Sequence, residues 1–473
     1  MNLLFAFLGC ILGTIVGALP GLGPVSAVAI LFPLTTYLPP EGMVIALAAI
    51  YYGAMYGGST TAILMNIPGE VSSVPTALDG FAMAKQGRAG PALAISAIVS
   101  FEAGIFGTIV LCVLGPPLSG LCLKFGPPEY FGLVLFSLTA IAGLSGRSIS
   151  RGLIMAAVGM LMAAVGIDVA STLPKLTFKS TVLLQGFDVV PVMIGLFGIG
   201  EVLKELEEGS SGIFKGKVGS LRSLMPNKEE LSAGMKAGTR ATLIAFTLGL
   251  FPGMLPSITS FLCYSFEKQR SKHPERFGKG AIEGVAAPEA ANNAAAMAGF
   301  VPLFTLGIPT GPTMALILAA LIVYGLVPGP ALFTEHATFT WTIIASFFLA
   351  NFILLILNLP FVGLWVRIAC IPYRLLAPII LAICIPGAYC IRSSMFDVWV
   401  CIFFGLIGWF LSKRNWPAAP LVLGFILGPM AETSLRQSIS ISPIIFIHRP
   451  IFIGFMALAV FSVWFSSRLR KFV

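Results

Sequence analysis

The sequence predicts an all-α polytopic membrane protein of about 10–12 transmembrane helices in two inverted repeats, with discontinuous helices or re-entrant hairpins. Three observations predict it. The chain of 473 residues is 57% hydrophobic and only 10% charged, with a mean hydropathy of +0.94, whereas a soluble domain carries about 25% charged residues. Apolar windows of roughly 17–25 residues, the length that crosses a hydrocarbon core, recur from end to end. Finally, proline–glycine motifs interrupt these windows at matching places in each half.

The first ten residues, MNLLFAFLGC, lack the basic region of a signal peptide, so we expect an uncleaved first helix. The formal charge of +9 is not accompanied by a basic patch interleaved with aromatic residues, which argues against nucleic-acid binding. The cysteines occur singly, without CxxC or zinc-like spacing, and are expected to be small apolar side chains. They are Cys10, Cys112, Cys122, Cys263, Cys370, Cys384, Cys390 and Cys401.

Two pairs of motifs indicate an internal repeat. GALPGLGP (17–24) and GLFPGMLP (249–256) both read G-x-x-P-G-x-x-P, and both follow an apolar helix. Further along, MNIPGEVSSVPTAL (65–78) and TLGIPTGPTMAL (305–316) share an Ile-Pro break and a later Pro-Thr, in the same order. The chain is therefore interpreted as two homologous halves.

The domain boundaries follow from this repeat and from one charged segment. We expect a first transmembrane repeat over 1–203, a cytoplasmic linker over 204–236, and a second repeat with a C-terminal helix over 237–473. The linker carries charges of both signs, which is typical of a solvated surface helix and loop.

The loop charges predict that the repeats are inverted. The loop after the first break is nearly uncharged in the first half (35–42) and strongly basic in the second (267–280). The loop after the second break is basic in the first half (82–90) and uncharged in the second (324–333). Short basic loops stay in the cytoplasm, so equivalent loops face opposite sides. The basic tail RLRK (468–471) predicts a cytoplasmic C-terminus. The same topology places Lys124, Lys175 and Lys179 on the non-cytoplasmic side, against the charge rule.

The breaks themselves predict a binding site. Irregular backbone at membrane depth is tolerated only where protein or a water-filled cavity covers it, and inverted-repeat transporters bind substrate at such breaks. Residues 237–266 leave and return on the basic side, which requires either two crossings or a re-entrant hairpin that turns at Pro252-Gly253. Residues 1–38 have the same two alternatives, two crossings or a re-entrant hairpin, but start and end on the non-cytoplasmic side.

Polar residues concentrate between the breaks, within 51–70 and 283–313. Ser59 and Thr61 fit either a binding site or the hydroxyl contacts that join membrane helices. The adjacent pair Asn292-Asn293 points to two sides of a helix, which helix contacts alone do not require. Glu70 and Glu289 stand beside breaks, where either carboxylate could ligate Na⁺, carry a coupling proton, or cap a half-helix N-terminus.

Signals of an enzyme are lacking, since the sequence has no HExxH, GxSxG or Walker lysine motif. His273, His336 and His448 are scattered near predicted loops. No arginine or lysine lies inside the four break motifs, and the basic residues elsewhere, among them Arg147, are interpreted as interfacial anchors. Transport would then run on an ion gradient or on another subunit.

Several long strings together resemble the TctA family, the large membrane subunit of bacterial tripartite tricarboxylate transporters. They are GALPGLGP, YYGAMYGGSTTAILMNIPGE, TALDGFAMAKQGRAGPA, FGPPEYF, FDVVPVMIGLFGIGEVL, GVAAPEAANNAAAMAGFVPLFTLGIP and PLVLGFILGPMAETSLRQS. The resemblance runs from about Gly13 to about Ser438 and implies secondary active uptake of a carboxylate, such as citrate, across the bacterial inner membrane. It implies Na⁺ or H⁺ as the coupling ion, with no other cofactor. The implied partners are a small TctB-like membrane subunit and a TctC-like periplasmic solute-binding protein. The resemblance does not decide whether the chain also forms a homo-oligomer.

The chain departs from the family pattern where GIPTG replaces GIPG, so that Thr310 adds a hydroxyl beside the break. We expect one midplane site built from both halves, and a passive organic-anion channel is the alternative. The expected site residues are Gly21, Gly23, Pro24, Ser59, Thr60, Thr61, Asn66, Pro68, Gly69, Glu70, Pro252, Gly253, Glu289, Asn292, Asn293, Pro309, Thr310 and Gly311.

Overall fold

Proline and glycine set the helix boundaries in the computed structural model. It describes residues 1–19, 21–144, 148–168, 171–208, 225–369, 371 and 373–469. Pro20, Arg147, Cys370, the linker over 209–224 and the end of the basic tail lie outside the described residues. The seven described cysteines are free thiols, and five of them are buried.

The first half consists of nine helices in its described part, with one short two-stranded antiparallel sheet, β1 (Gly166–Ile167) and β2 (Pro174–Lys175). A π-helical segment, Ile194–Ile199, joins the last two helices. The helices are α1 (Asn2–Ala18), α2 (Pro24–Thr35), α3 (Pro40–Met65), α4 (Val74–Lys85), α5 (Ala89–Cys122), α6 (Pro127–Leu144), α7 (Ile149–Ala163), α8 (Val189–Met193) and α9 (Gly200–Glu208).

The second half is entirely helical over its described residues, apart from turns and two short 3₁₀ segments, Pro274–Arg276 and Ile445–His448. Its helices are α10 (Lys228–Gly249), α11 (Pro256–Arg270), α12 (Ile282–Ala298), α13 (Phe300–Leu306), α14 (Pro312–Val323), α15 (Pro330–Thr334), α16 (Ala337–Asn358), α17 (Val362–Ala369), α18 (Tyr373–Arg392), α19 (Met395–Lys413), α20 (Ala418–Ile441) and α21 (Pro450–Leu469).

Within the described chain, 6 helices are long and apolar enough to cross a membrane: α3, α5, α16, α18, α19 and α20. Five further apolar helices of 10–17 residues are shorter, among them α1, α2 and α14. The prediction of an all-α polytopic membrane protein is confirmed. The predicted number of about 10–12 transmembrane helices stays a prediction.

Close helix packing shows that α1 and α2 form a hairpin. Gly42 near the start of α3 contacts Phe5 of α1, and a Cβ added to Gly17 at the end of α1 would stand 2.2 Å from the carbonyl oxygen of Ala54. Helices α1 and α3 are therefore parallel, and only glycine allows so close an approach. Because α3 starts beside the start of α1, α2 must return to that end. With 12 residues α2 rises only about 18 Å, which is less than the roughly 30 Å of a hydrocarbon core. Helices α1 and α2 therefore form a re-entrant hairpin.

The second half repeats this arrangement. Gly238 of α10 lies against Ala290 of α12, and Gly249 at the end of α10 lies against Ala298 at the end of α12. These two helices are also parallel, so α11 returns to the end from which α10 started. With 15 residues α11 rises only about 22 Å, too short to cross a hydrocarbon core of about 30 Å, so the re-entrant hairpin fits this segment as well.

The loops sort by charge into two ends of the molecule. Arg88 pairs with Glu230, and the Gln86 side chain donates to the carbonyl oxygen of Lys279 (2.9 Å), so the basic loops lie together. At the other end the Tyr324 hydroxyl donates to the carbonyl oxygen of Leu38 (2.7 Å), which joins the two uncharged loops. Equivalent loops of the two halves thus lie at opposite ends, as expected of inverted repeats.

Helices α3 and α12 form the centre, one from each half, and both are buried along nearly their whole length. The halves interlock there, because α12 packs against α4 and α5 of the first half. Asp79 of α4 strengthens this contact: its carboxylate accepts hydrogen bonds from the backbone N–H groups of Gly278, Gly280 and Ala281 (2.8–2.9 Å) and from the Tyr264 hydroxyl (2.9 Å).

Candidate functional site

The first break has the same conformation in both halves. Helix α1 ends at Ala18, Gly21 takes a left-handed φ of +81°, and α2 begins at Pro24. In the second half α10 ends at Gly249, Gly253 takes a φ of +85°, and α11 begins at Pro256. Glycine adopts this conformation without steric cost, and proline is well suited to the first turn of a helix. The G-x-x-P-G-x-x-P pattern therefore encodes one defined turn.

The second break also recurs. Asn66 ends α3 in the left-handed region at φ +56°, and Gly307 ends α13 there at φ +70°; an Ile-Pro pair follows each. The breaks of the second half contact each other, since the Gly253 N–H donates to the carbonyl oxygen of Thr310 (3.0 Å). In the first half, Gly69 lies against Gly17 at the end of α1.

All four breaks border one cavity of about 460 Å³. Its lining includes 8 of the residues expected from the sequence: Gly21, Gly23, Pro24, Pro68, Gly69, Glu70, Thr310 and Gly311. Tyr51 and Met55 of the central helix α3 and Phe197 of the π-helical segment complete its apolar walls. Both hairpin tips meet here, so the two halves share one site.

Helix N-termini supply most of the polar groups of the cavity. Helices α2, α11 and α14 each begin at its wall with a proline, and none has a side-chain hydrogen bond at its N-cap. The first N–H groups of a helix have no partner inside the helix, and the helix dipole places partial positive charge there. Such termini bind anions, and three of them face the same volume.

Three charged side chains also line the cavity: Glu70, Glu201 and Lys204. Lys204 of α9 reaches it from outside the break motifs and pairs with Glu201 (2.8 Å). Sequence reasoning assigned Lys204 to the cytoplasmic linker and missed it, because α9 continues to Glu208 although its last five residues are mostly charged. Glu70 lies at the break after α3, where it accepts a hydrogen bond from Ser72 and does not cap the 3₁₀ turn that follows.

Glu289, Asn292 and Asn293 lie away from the cavity, in a buried polar cluster. Glu289 is in the middle of α12, so it does not cap a helix start, and it accepts hydrogen bonds from Ser59 (2.5 Å), Thr76 (2.5 Å) and Ser96 (3.1 Å). The Asn293 amide donates to Asn292 (2.5 Å) and to Ser100 (2.9 Å). We call Ser59, Thr76, Ser96, Ser100, Glu289, Asn292 and Asn293 the Glu289 cluster.

The remaining expected residues support the site without lining it. Thr60 and Thr61 are buried in α3, where Thr61 donates to the carbonyl oxygen of Gly58 (3.0 Å) of its own helix. Pro252 and Pro309 are buried in the breaks, whereas Asn66 is exposed at the end of α3. The expected residues thus fall into three groups: those that line the cavity, those in the Glu289 cluster, and those in the surrounding helices and breaks.

Comparison with known proteins identifies the chain. The model of the tripartite tricarboxylate transporter TctA family matches residues 3–423. The chain belongs to the TctA family.

Two relatives of this TctA-family protein come from Agrobacterium vitis. One, named "Uncharacterized 52.8 kDa protein in TAR-I ttuC' 3'region", is 44% identical over 465 residues, which cover 97% of this chain and 92% of the relative. The other, "Uncharacterized protein in TAR-II ttuC' 3'region", is 47% identical over 219 residues, 46% of this chain and 90% of the relative. No solved structure matches.

Family membership makes this TctA protein a transporter subunit. The described residues contain no group of three or more His, Cys, Asp and Glu side chains that could hold a metal ion. The cavity offers backbone N–H groups, hydroxyls, the Lys204 ammonium group and the carboxylates of Glu70 and Glu201.

Proposed function

We propose that the protein is the large transmembrane subunit of a tripartite secondary transporter that imports a tricarboxylate or related carboxylate across the bacterial inner membrane. A Na⁺ or H⁺ gradient drives uptake. A TctC-like periplasmic protein delivers the substrate, and a small TctB-like membrane subunit completes the complex.

One observation carries this proposal: the uncapped N-termini of α2, α11 and α14 face one cavity. A carboxylate needs several hydrogen-bond donors in a fixed geometry, and N–H groups at helix ends provide them. A volume of about 460 Å³ lies within the roughly 300–1,000 Å³ of small-molecule sites. Lys204 adds one positively charged side chain, for which a second substrate carboxylate would compete with Glu201.

The position of the cavity supports alternating access. It lies between two hairpin tips that enter from opposite ends of the molecule, which is the arrangement of discontinuous helices in inverted-repeat transporters. A movement of one hairpin tip relative to the other would change the end from which the cavity is reached. Paired hairpins also suit the selectivity filter of a passive channel, so a transport measurement has to distinguish the two.

Reconstitution tests the proposal. Proteoliposomes that contain the protein, the small subunit and the binding protein are given labelled citrate, succinate or an aromatic acid under an imposed Na⁺ or pH gradient. We expect accumulation above equilibrium that requires both a gradient and the binding protein. Uptake that continues after the gradients are collapsed, and never exceeds equilibrium, would instead identify a channel.

A further inference from the structure

The Glu289 carboxylate is the most deeply buried acidic group near the cavity. Its residue is 0% exposed, in the middle of α12. Both carboxylate oxygens are occupied by hydroxyl donors: Oε1 accepts from Thr76, and Oε2 accepts from Ser59 and Ser96. Such donors stabilise the ionised form of a carboxylate relative to its protonated form.

No cationic side chain in the described part of the chain balances this negative charge. Among the described residues no Lys, Arg or His forms an ion pair with Glu289. The charge of Glu70 at the cavity wall is also negative, and the Glu70 side chain lies against Gly58, the chain neighbour of Ser59. A buried charge without a partner is strongly unfavourable, so Glu289 must be neutralised either by a proton or by a bound cation.

The groups around Glu289 are oxygens, which hard cations prefer. A serine or threonine hydroxyl has one donor and two acceptor lone pairs, so Ser59, Thr76 and Ser96 can turn their lone pairs toward a bound cation. A second observation points the same way. The Tyr56 hydroxyl, whose residue is 4% exposed, is buried without a hydrogen-bond partner, and Tyr56 lies one turn before Ser59 on the same side of α3.

We infer that Glu289, with the Ser59, Thr76 and Ser96 hydroxyls, binds Na⁺, and that this cation is the coupling ion of the proposed transport. The second part rests on the proposed function; the binding site itself does not. A single carboxylate matches the charge of a monovalent ion, whereas a divalent ion would need further acidic ligands. The occupied carboxylate oxygens favour Na⁺ over a proton.

The location explains how the ion and the substrate can act together. Ser59, Thr76 and Ser96 come from α3, α4 and α5 of the first half, and Glu289 comes from the second, so a bound cation joins the halves. Helices α3 and α4 also flank the break that carries Glu70 into the cavity. Neutralising Glu289 lowers the negative potential at the cavity and favours an anionic substrate there, which is positive coupling between two sites.

The test measures Na⁺ binding directly, without substrate. The purified full-length protein in detergent is heated at increasing NaCl, with choline chloride keeping the ionic strength constant, and ²²Na⁺ binding is measured in parallel. We expect a rise in melting temperature specific to Na⁺ that Glu289→Gln abolishes. Glu283→Gln, a partly buried carboxylate six residues earlier on the same helix, is the matched control and should keep the response.

A second variant, Ser96→Ala, tests the site in case Glu289→Gln fails to fold. Ser96→Ala leaves the carboxylate in place and should raise the Na⁺ concentration at half-effect about tenfold, since lost ligand-shell contacts typically cost 10–100-fold in metal affinity. Equal Na⁺ binding by wild type and a monodisperse Glu289→Gln protein would overturn the inference, as would stabilisation by acid pH with no response to Na⁺. Na⁺ binding at Glu289 without carboxylate uptake in proteoliposomes would contradict the proposed function and leave the site intact.

Discussion

The cavity and the Glu289 cluster share helices α3 and α4 but obtain their polarity in different ways. In the cavity the donors are mainly backbone N–H groups, which the breaks before α2, α11 and α14 release. In the cluster the helices are continuous, and the polar atoms are side-chain oxygens such as those of Ser59, Ser96 and Glu289.

This difference matches the two charges that a coupled transporter handles. Free N–H groups at helix starts attract anions, and a carboxylate among hydroxyls attracts a cation. Substitutions in the two regions should therefore have separable effects: those in the cluster change the response to Na⁺, whereas those in the cavity change the response to substrate.

Asn293→Ala is expected to have the largest effect and to abolish uptake without lowering the amount of protein in the membrane. Its amide holds Asn292 and Ser100, which flank Glu289, so its loss leaves buried polar groups without partners. Uptake and membrane content are measured together. Asn358→Ala is the control, because buried Asn358 bonds only within α16, to the carbonyl oxygen of Leu354 (2.9 Å). Normal uptake by the Asn293 variant would exclude Asn293 from the site.

Gly21→Ala should lower the uptake rate about tenfold or more, because a non-glycine residue in a left-handed conformation costs roughly 1–2 kcal/mol before any clash. At φ +81° the added Cβ would also stand 2.0 Å from Glu205 Oε1. Na⁺-dependent stabilisation should persist, since the cluster is untouched. Gly325→Ala, at φ +69° with no heavy atom within 4 Å, separates backbone strain from the clash. Equal uptake rates for the Gly21 and Gly325 variants would show that the clash at the tip of the α1–α2 hairpin does not affect transport.

Lys204→Met should raise the KM for a di- or tricarboxylate several-fold, up to about tenfold, and change the KM for a monocarboxylate less. The reason is that Lys204 contributes the one positively charged side chain among the described residues that line the cavity. Initial rates against substrate concentration measure it. Lys413→Met serves as the control, since Lys413 pairs with Glu207 on the surface. An unchanged KM for every substrate would remove Lys204 from the substrate site.

Thr310→Val should have the smallest effect, a change of about two- to threefold in the relative rates for different carboxylates. The residue is 7% exposed and lines the cavity, so the variant keeps its volume and loses one hydroxyl. Competition between two labelled substrates measures the preference. A much larger loss with every substrate would mean that the hydroxyl maintains the break itself.

The sequence predicted the frame of this site well because proline and glycine act locally. The motifs around Gly21 and Gly253 specify one turn each, and the Ile-Pro breaks specify another, so their convergence follows once the repeat is recognised. Loop charge likewise predicted which loops meet at each end. Both signals can be read without knowing which helices pack together.

The rest depends on contacts between distant segments. Thr76, Ser96 and Ser100 are single hydroxyls in apolar helices, where such groups usually bond their own backbone, so nothing local marks them as partners of Glu289. Lys204 was missed because its helix continues beyond the boundary that charge suggested. The re-entrant hairpins were equally open to prediction as full crossings until the parallel packing of α1 on α3 was known.

The hydrogen bonds at Asp79 bear on how the molecule can divide when it moves. This side chain belongs to the first half, yet it accepts from three N–H groups and one hydroxyl of the second. A rocking motion along the seam between the two sequence repeats would have to pull all four apart at once. We therefore expect each rigid body of the transport cycle to be a mosaic drawn from both repeats, with Asp79 inside one of them and the sliding surface elsewhere.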